Sequence, residues 1–119
     1  MPTIAAEEHI QDANGRTIGW IWQGATSADT LTPQRITNSN DLTISVAGTI
    51  GSPVATVTLT MSNHGPATGL FPATNAVSAA TISMAAINLG MLIAQTGIWF
   101  QPVITGGTGE SLDIVIAGK

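Results

Sequence analysis

The sequence predicts an all-β protein, an antiparallel β-sandwich with a jelly-roll-like arrangement of strands. Apolar and polar residues alternate through several short segments, which is the pattern of a strand with one buried and one solvated face. Turns rich in glycine and asparagine separate these segments at short intervals. The length of 119 residues and the apolar fraction of 44% suit one domain with a hydrophobic core.

The first hairpin is predicted at Asn14 and Gly15, because a two-residue type I′ turn needs positive φ at both central positions. The turn would join a strand near residues 4–10 to a second strand near residues 17–23. In the second strand Trp20 and Trp22 share one face and Ile21 takes the other. We therefore divide the chain into an N-terminal arm or first strand, residues 1–12, and a single β-sandwich domain, residues 13–119.

Three later segments alternate in the same phase, so their apolar side chains are expected to form one core. The side chains predicted to be buried together are Ile44, Val57, Leu59, Leu112 and Ile114. Between the apolar residues of the middle strand stand Thr56, Thr58 and Thr60. We interpret this threonine row as a solvated sheet face or a contact with another subunit, in preference to a surface for ice or sugar.

Two segments fit more than one structure. Residues 30–40 are interpreted as a loop that crosses between sheets, in preference to a short helical turn capped by Thr32. Residues 75–95 are interpreted as two short strands around a turn near residues 88–90. Ile82 and Met84 alternate with polar residues there, and Gly90 interrupts the pattern.

The last twenty residues predict a closing hairpin made of a strand, a glycine turn and a final strand. Pro102 has no backbone N–H to donate, so its strand is expected at a sheet edge or with a bulge. Residues 98–109 carry no charge, although edge strands are usually guarded by charged side chains. Trp99 and Phe100 must face opposite ways. Whichever faces outward is the candidate interface residue for a neighbouring chain.

Charge and composition exclude several functions. The three basic residues and formal net charge of −4 argue against direct nucleic-acid binding, which depends on Lys and Arg. A charged fraction of 8%, against roughly 25% in ordinary domains, indicates a neutral surface that favours association. The N-terminal residues lack the features of a signal peptide, and no apolar run is long enough for a membrane span. We therefore expect synthesis in the cytoplasm and no membrane contact.

The candidate chemical motifs are weak. The glycine turn at residues 106–111 lacks the Gly-Lys-Ser/Thr ending of a phosphate loop and precedes a strand. Glu7 and His9 share a strand face, but an exposed polar strand is favoured over a metal site. A catalytic triad built from His64 and Asp113 would lack a nucleophile elbow. We expect no catalytic, metal or cofactor site, and a protein that is not an enzyme.

Roughly residues 46–119 contain, in order, an alternating strand, the turn Ser-Asn-His-Gly and the stretch Phe-Gln-Pro-Val-Ile-Thr-Gly-Gly-Thr-Gly. This part of the chain resembles small β-sandwich structural proteins of tailed-bacteriophage virions. Gln101 stands where that family often has arginine, and His64 where aspartate is common. The resemblance implies a virion component without enzymatic activity and transfers no catalytic residue.

The leading hypothesis is a capsid decoration, or cement, protein that binds the outer shell in many copies and reinforces it. Its partners would be the major capsid protein or other virion proteins and further copies of itself, with a trimer as the expected state. The alternative is a tail, collar or baseplate module for host recognition, with the threonine row and the loops at residues 62–73 as contact surfaces. A free enzyme or sugar-binding protein is the third class, and it would need polar groups that converge in a pocket.

Overall fold

The computed structural model describes residues 2–37, 41–66 and 68–119. Within these ranges the chain forms β-strands and turns and contains no helix. The strands in chain order are β1 (Thr3–Ile4), β2 (Glu7–Gln11), β3 (Thr17–Ala25), β4 (Thr30–Leu31), β5 (Gln34–Arg35), β6 (Thr43–Thr49), β7 (Ala55–Ser62), β8 (Phe71–Pro72), β9 (Ser83–Met84), β10 (Leu89–Leu92), β11 (Trp99–Gly106) and β12 (Ser111–Ala117).

Two antiparallel sheets pack face to face, which confirms the predicted β-sandwich. The front sheet has the strand order β10-β6-β12-β3-β2. The back sheet has the order β5-β11-β7-β8, and β9 also pairs with β7. A small parallel pair, β1 with β4, lies beside them.

The core lies between the sheets and consists of the side chains that the alternation assigned to it. Each of the five residues predicted to be buried together is at most 1% exposed, and all five belong to one cluster. Trp22 of the front sheet is fully buried, and its indole N–H donates to the carbonyl of Thr32 at 3.0 Å. Its polar atom is thereby satisfied inside the core. Trp20 shares the inward face but remains half-buried against the cluster.

The first hairpin is present, but the predicted type I′ turn is wrong. The Gly15 N–H donates to the Asp12 carbonyl at 3.1 Å, and the Asp12 N–H donates to the Arg16 carbonyl at 2.9 Å. Gly15 has φ +81°, whereas Asn14 is not among the residues with positive φ. This is a three-residue loop, a type I turn followed by one left-handed glycine. The Asp12 carboxylate selects it, because its Oδ1 accepts the backbone N–H groups of Asn14 and Arg16.

The predicted N-terminal arm or first strand forms two strands, β1 and β2, that pair with other strands of the same chain. β1 pairs with β4, and β2 pairs with β3 at the edge of the front sheet through two register irregularities. Every residue of β2 is exposed. The first strand predicted near residues 4–10 is therefore two short strands, β1 and β2, that join different partners.

The two ambiguous middle segments resolve without a helix. Residues 30–37 cross between the sheets as predicted and contain β4 and β5, while residues 38–40 of that segment lie outside the described residues. Residues 83–92 form the two predicted short strands, β9 and β10, but these lie in opposite sheets. The bend between them lies at residues 86–88, two residues earlier than the predicted 88–90. Asn88, with φ +61°, ends it, and Gly90 already pairs with Ser45.

The predicted closing hairpin is wrong, because β11 belongs to the back sheet and β12 to the front sheet. The glycine loop between them is an arch that crosses the sandwich. It stacks on the β6–β7 connection, which crosses between the same sheets. The Ser52 N–H donates to the Thr108 carbonyl at 3.0 Å, and the Thr108 N–H donates to the Pro53 carbonyl at 3.1 Å. Alternation showed which side chains point inward, but it carries no information on which strand becomes the neighbour.

Candidate interaction surface

Trp99 and Phe100 face opposite sides of β11, as predicted. Phe100 is fully buried in the core. Trp99 is half-buried on the outer face of the back sheet. Of the two candidate interface residues, only Trp99 is therefore available to a partner, and Phe100 is a core residue.

The exposed Arg35 of β5 lies directly opposite Trp99 on the outer face of the back sheet. From Trp99, a surface of uncharged side chains extends along the outer face of β7 and β11. We call it the threonine face, and it consists of Thr56, Thr58, Thr60, Gln101, Val103 and Thr105 together with Trp99. The pairing places Gln101 opposite Thr60, Val103 opposite Thr58 and Thr105 opposite Thr56.

Short-range contacts hold the threonine face in place. The Thr60 hydroxyl donates to the Gln101 carbonyl across the ladder at 3.0 Å. The Gln101 amide donates to the Leu31 carbonyl at 2.9 Å, which fixes that side chain toward β4. Such a surface has few mobile side chains to order on binding, so association there costs little conformational entropy.

The same strand also presents an open edge. Among the described residues, β5 pairs with β11 only at Trp99 and Phe100. The Ala73 N–H donates to the Leu59 carbonyl at 2.9 Å, so the backbone groups of Leu59 point away from β11. Pro102, which pairs with Leu59, therefore directs its nitrogen to the open edge, where no ladder donor is required. The prediction that Pro102 lies at a sheet edge is thus confirmed, because the pairing of β11 with β5 ends at Phe100.

A shallow groove runs along this edge. Its volume is about 190 Å³, and residues 101–104 of β11 line one side while Ser27, Asp29, Thr30 and Leu31 line the other. The carbonyl of Pro102 and both backbone groups of Ile104 face this edge by the same alternation of ladder direction. An extended segment of another chain could add a strand here.

Glu110 joins the arch to the turn at residues 26–29. The Ser27 N–H and hydroxyl donate to its Oε1 at 3.1 and 2.9 Å, and the side chain is only 7% exposed. The Ser27 backbone N–H, then the N–H of Glu110 itself and the Ser27 hydroxyl, hold the pKa of this carboxyl below its usual value of 4.5. The charge of Glu110 stabilises loop packing at the end of the sandwich that holds the arch.

The other chemical candidates stay apart or are engaged in local structure. Glu7 and His9 lie on the exposed strand β2. The His64 ring lies over Gly69 in the connection after β7. Asp113 accepts the Gly24 N–H at 2.9 Å on the front sheet. Among residues 2–37, 41–66 and 68–119, no three His, Asp or Glu side chains come close enough to hold a metal ion.

Sequence reasoning missed a second concave region. A pocket of about 250 Å³ is lined by Arg16, Thr17, Trp20, Arg35, Ile36 and Thr37. The two arginines are nineteen positions apart, Arg16 in the β2–β3 connection of the front sheet and Arg35 in β5 of the back sheet, so no local spacing could predict their proximity. The sequence offered one indication that these arginines are special: they are two of only three basic residues in the chain.

The part of the chain that the structure describes has no helix that could span a membrane. Comparison with protein-family models, with curated proteins and with solved structures finds no match for this chain.

Proposed function

We propose that the protein is a non-enzymatic structural component of a tailed-bacteriophage virion, a decoration protein that binds the outer capsid shell and reinforces it. It would be made in the host cytoplasm, incorporated in many copies as a self-associated unit, expected to be a trimer, and would contact the major capsid protein. The resemblance of residues 46–119 to such proteins supplies the virion context. The local surface described above supplies a way to bind.

The observation that carries the proposal is the threonine face with the adjoining open edge of β11. A half-buried tryptophan beside an exposed arginine, on a sheet surface of otherwise uncharged side chains, has the composition of an interface centre, where aromatic residues and arginine are enriched. In the part of the chain that the structure describes, no strand pairs with the second side of β11 from Gln101 to Gly106. Such an edge promotes association unless a neighbour covers it.

The test uses particles with and without the protein. Virions stripped of it should remain intact but release their contents at a lower temperature, and adding back the purified protein should restore the original temperature. Protein carrying Trp99→Ala should bind stripped particles more weakly than the unmodified protein. Equal thermal resistance of stripped and complete particles would remove the reinforcing role.

A tail, collar or baseplate module is the second candidate, and exposed apolar side chains between β7 and β10 favour it. Leu70 is 42% exposed and Val77 is 84% exposed in these connections. Exposed apolar groups on loops suit recognition of a host surface or a neighbouring ring. Densitometry of purified particles distinguishes the two. A copy number proportional to the shell subunits indicates the capsid, and one that matches a single ring indicates the tail.

A further inference from the structure

The pocket lined by Arg16, Trp20 and Arg35, which we call the arginine pocket, concentrates positive charge in an acidic protein. The chain has a net charge of −4 and three basic residues, and two of the three line this one concavity. The third, Lys119, lies beside Asp41 at 3.9 Å. An anion repelled by the protein as a whole would meet attraction at the arginine pocket.

The walls of the arginine pocket are held in place before any ligand arrives. The Asp12 carboxylate anchors Arg16, with 3.1 Å between Oδ2 and Nε. Ile36 is 3% exposed, and its N–H donates to the Ile98 carbonyl at 2.8 Å, which fixes the backbone next to Arg35. Trp20 packs against the core while part of its surface stays accessible. Such preorganisation lowers the entropy lost on binding.

The net charge of the arginine pocket indicates that its ligand is an anion. Asp12 offsets one of the two arginines through its contact with Arg16. Arg35 is exposed, and among the described residues no carboxylate lies within ion-pair distance of it. A guanidinium binds a carboxylate through two parallel hydrogen bonds, and the hydroxyls of Thr17 and Thr37 can donate to further oxygens.

The volume of the arginine pocket and the Trp20 side chain in its wall further restrict the kind of ligand that fits. The volume of about 250 Å³ lies below the range of about 300–1,000 Å³ usual for drug-sized ligands, so one ring or one side chain fits. The exposed part of the Trp20 indole offers an apolar face against which a sugar ring or an aliphatic stem can pack. We infer that the arginine pocket binds a carboxylate carried on a single sugar ring or a short aliphatic chain. This inference does not depend on the proposed virion role.

The test follows the tryptophan indole N–H resonances by NMR while sodium glucuronate is added to the full-length protein. The Trp20 resonance, assigned with Trp20→Phe, should shift with millimolar affinity. The Trp22 resonance should stay in place, because its N–H is already bonded to Thr32 in the core. Glucose, which lacks the carboxylate, should produce no shift. No shift with glucuronate, or an equal shift with glucose, would overturn the inference.

A matched pair of charge variants identifies the arginine. Arg35→Gln and Lys119→Gln change the net charge equally, but only Arg35 lines the pocket. We expect Arg35→Gln to weaken glucuronate binding by about tenfold or more and Lys119→Gln to leave it unchanged. Both residues are exposed, so both variants should retain the circular dichroism spectrum of the unmodified protein. Equal loss in both variants would mean that only long-range charge acts, which contradicts a site.

Two further probes separate the sources of the carboxylate. N-acetylglutamate α-amide carries a single carboxylate on an acyclic stem, so binding tighter than glucuronate assigns the pocket to an acidic protein side chain, and the reverse order assigns it to a sugar acid. Either order supports a carboxylate site. Inorganic phosphate that binds as tightly as both would show that the ring or stem contributes nothing, and would contradict the role given to Trp20.

Discussion

Leu59 lies in the middle of β7 and is 1% exposed between the two sheets. Leu59→Ala removes apolar atoms from a packed site and leaves a cavity, so we expect the free energy of unfolding to fall by about 2–5 kcal/mol. Val77→Ala is the control, because Val77 is 84% exposed, and its effect should stay within about 0.5 kcal/mol. Urea unfolding followed by tryptophan fluorescence measures both. Similar small losses would mean that Leu59 does not support the core.

Replacing Gly15 or Gly107 by alanine distinguishes the cost of a left-handed backbone from the cost of a steric clash. Their φ angles are nearly equal, +81° and +83°. A Cβ at Gly15 would have no heavy atom within 4 Å, whereas a Cβ at Gly107 would lie 2.8 Å from the Cβ of Ala55. Gly15→Ala should therefore cost about 1–2 kcal/mol for the left-handed backbone alone. Gly107→Ala should cost clearly more, because the arch must also move away from β7.

Thermal and urea unfolding of the two glycine variants provide the comparison. Equal losses would show that the stacked arches yield easily at Ala55. The opposite order would contradict the close approach of Gly107 to β7.

At the level of elements, the sequence predicted strands better than their partners. Alternation depends on each side chain and its nearest neighbours, so the buried residues of β6, β7 and β12 were predictable. Whether β12 returns beside β11 or crosses to β6 depends on the path of the glycine loop. That path follows from contacts such as Ser52 to Thr108, which are distant in sequence. For the same reason β9 and β10 were predicted, but not their separation into two sheets.

The sequence predicted part of the candidate interaction surface, as it predicted the strands but not all of their partners. The edge position of Pro102 and the opposite directions of Trp99 and Phe100 follow from the proline ring and the strand period. Gln101 and Thr105 share the side of Trp99 and indicate that this side faces outward, but Val103 on the same side weakens the signal. The arginine pocket could not be predicted at all, because β3 and β5 meet only in the assembled sandwich.

The contact between the arch and the turn at residues 26–29 should make stability depend on pH through Glu110. Its folded-state pKa is lowered, chiefly by the Ser27 N–H, so the ionised form favours folding. This contribution is fully present above the usual value of 4.5 and is lost as the pH falls through the folded-state pKa. Glu110→Gln should therefore destabilise the protein near neutral pH and match the unmodified protein in strong acid.

Urea unfolding at several pH values tests this dependence. The Asp12 pKa is lowered too, chiefly by the Arg16 backbone N–H, but Asp12 is present in both proteins and cancels in the difference. A difference between the two proteins that stays constant from neutral to strongly acidic pH would contradict the role of the Glu110 charge.

For the whole molecule, the two sheets use their outer faces differently. The threonine face of the back sheet consists of uncharged side chains, with Arg35 beside it opposite Trp99. On the outer face of the front sheet, Asp113 accepts a hydrogen bond from the Gly24 N–H. Uncharged surface that is rigid and next to an open strand edge favours association. We therefore expect association, whether with further copies of the chain or with another protein, to take place at the back sheet.

Trp99→Ala and Phe100→Ala test this expectation as a pair, since the residues are adjacent in β11 and differ in direction. Trp99→Ala should weaken association by about 2 kcal/mol or more, as interface tryptophans do, while the fold is retained. Phe100→Ala should instead lower the free energy of unfolding by about 3–5 kcal/mol, because Phe100 is fully buried.

Mass measurement in dilute solution, together with circular dichroism, distinguishes the two effects. Leu89→Ala is the control for removing an exposed apolar side chain, since Leu89 is 42% exposed on the edge strand of the other sheet. It should leave both mass and fold unchanged. If Trp99→Ala associates like the unmodified protein while Leu89→Ala does not, the interface lies on the front sheet, at the β10 edge. If Trp99→Ala unfolds, Trp99 supports the sandwich itself, and the threonine face loses its central contact residue.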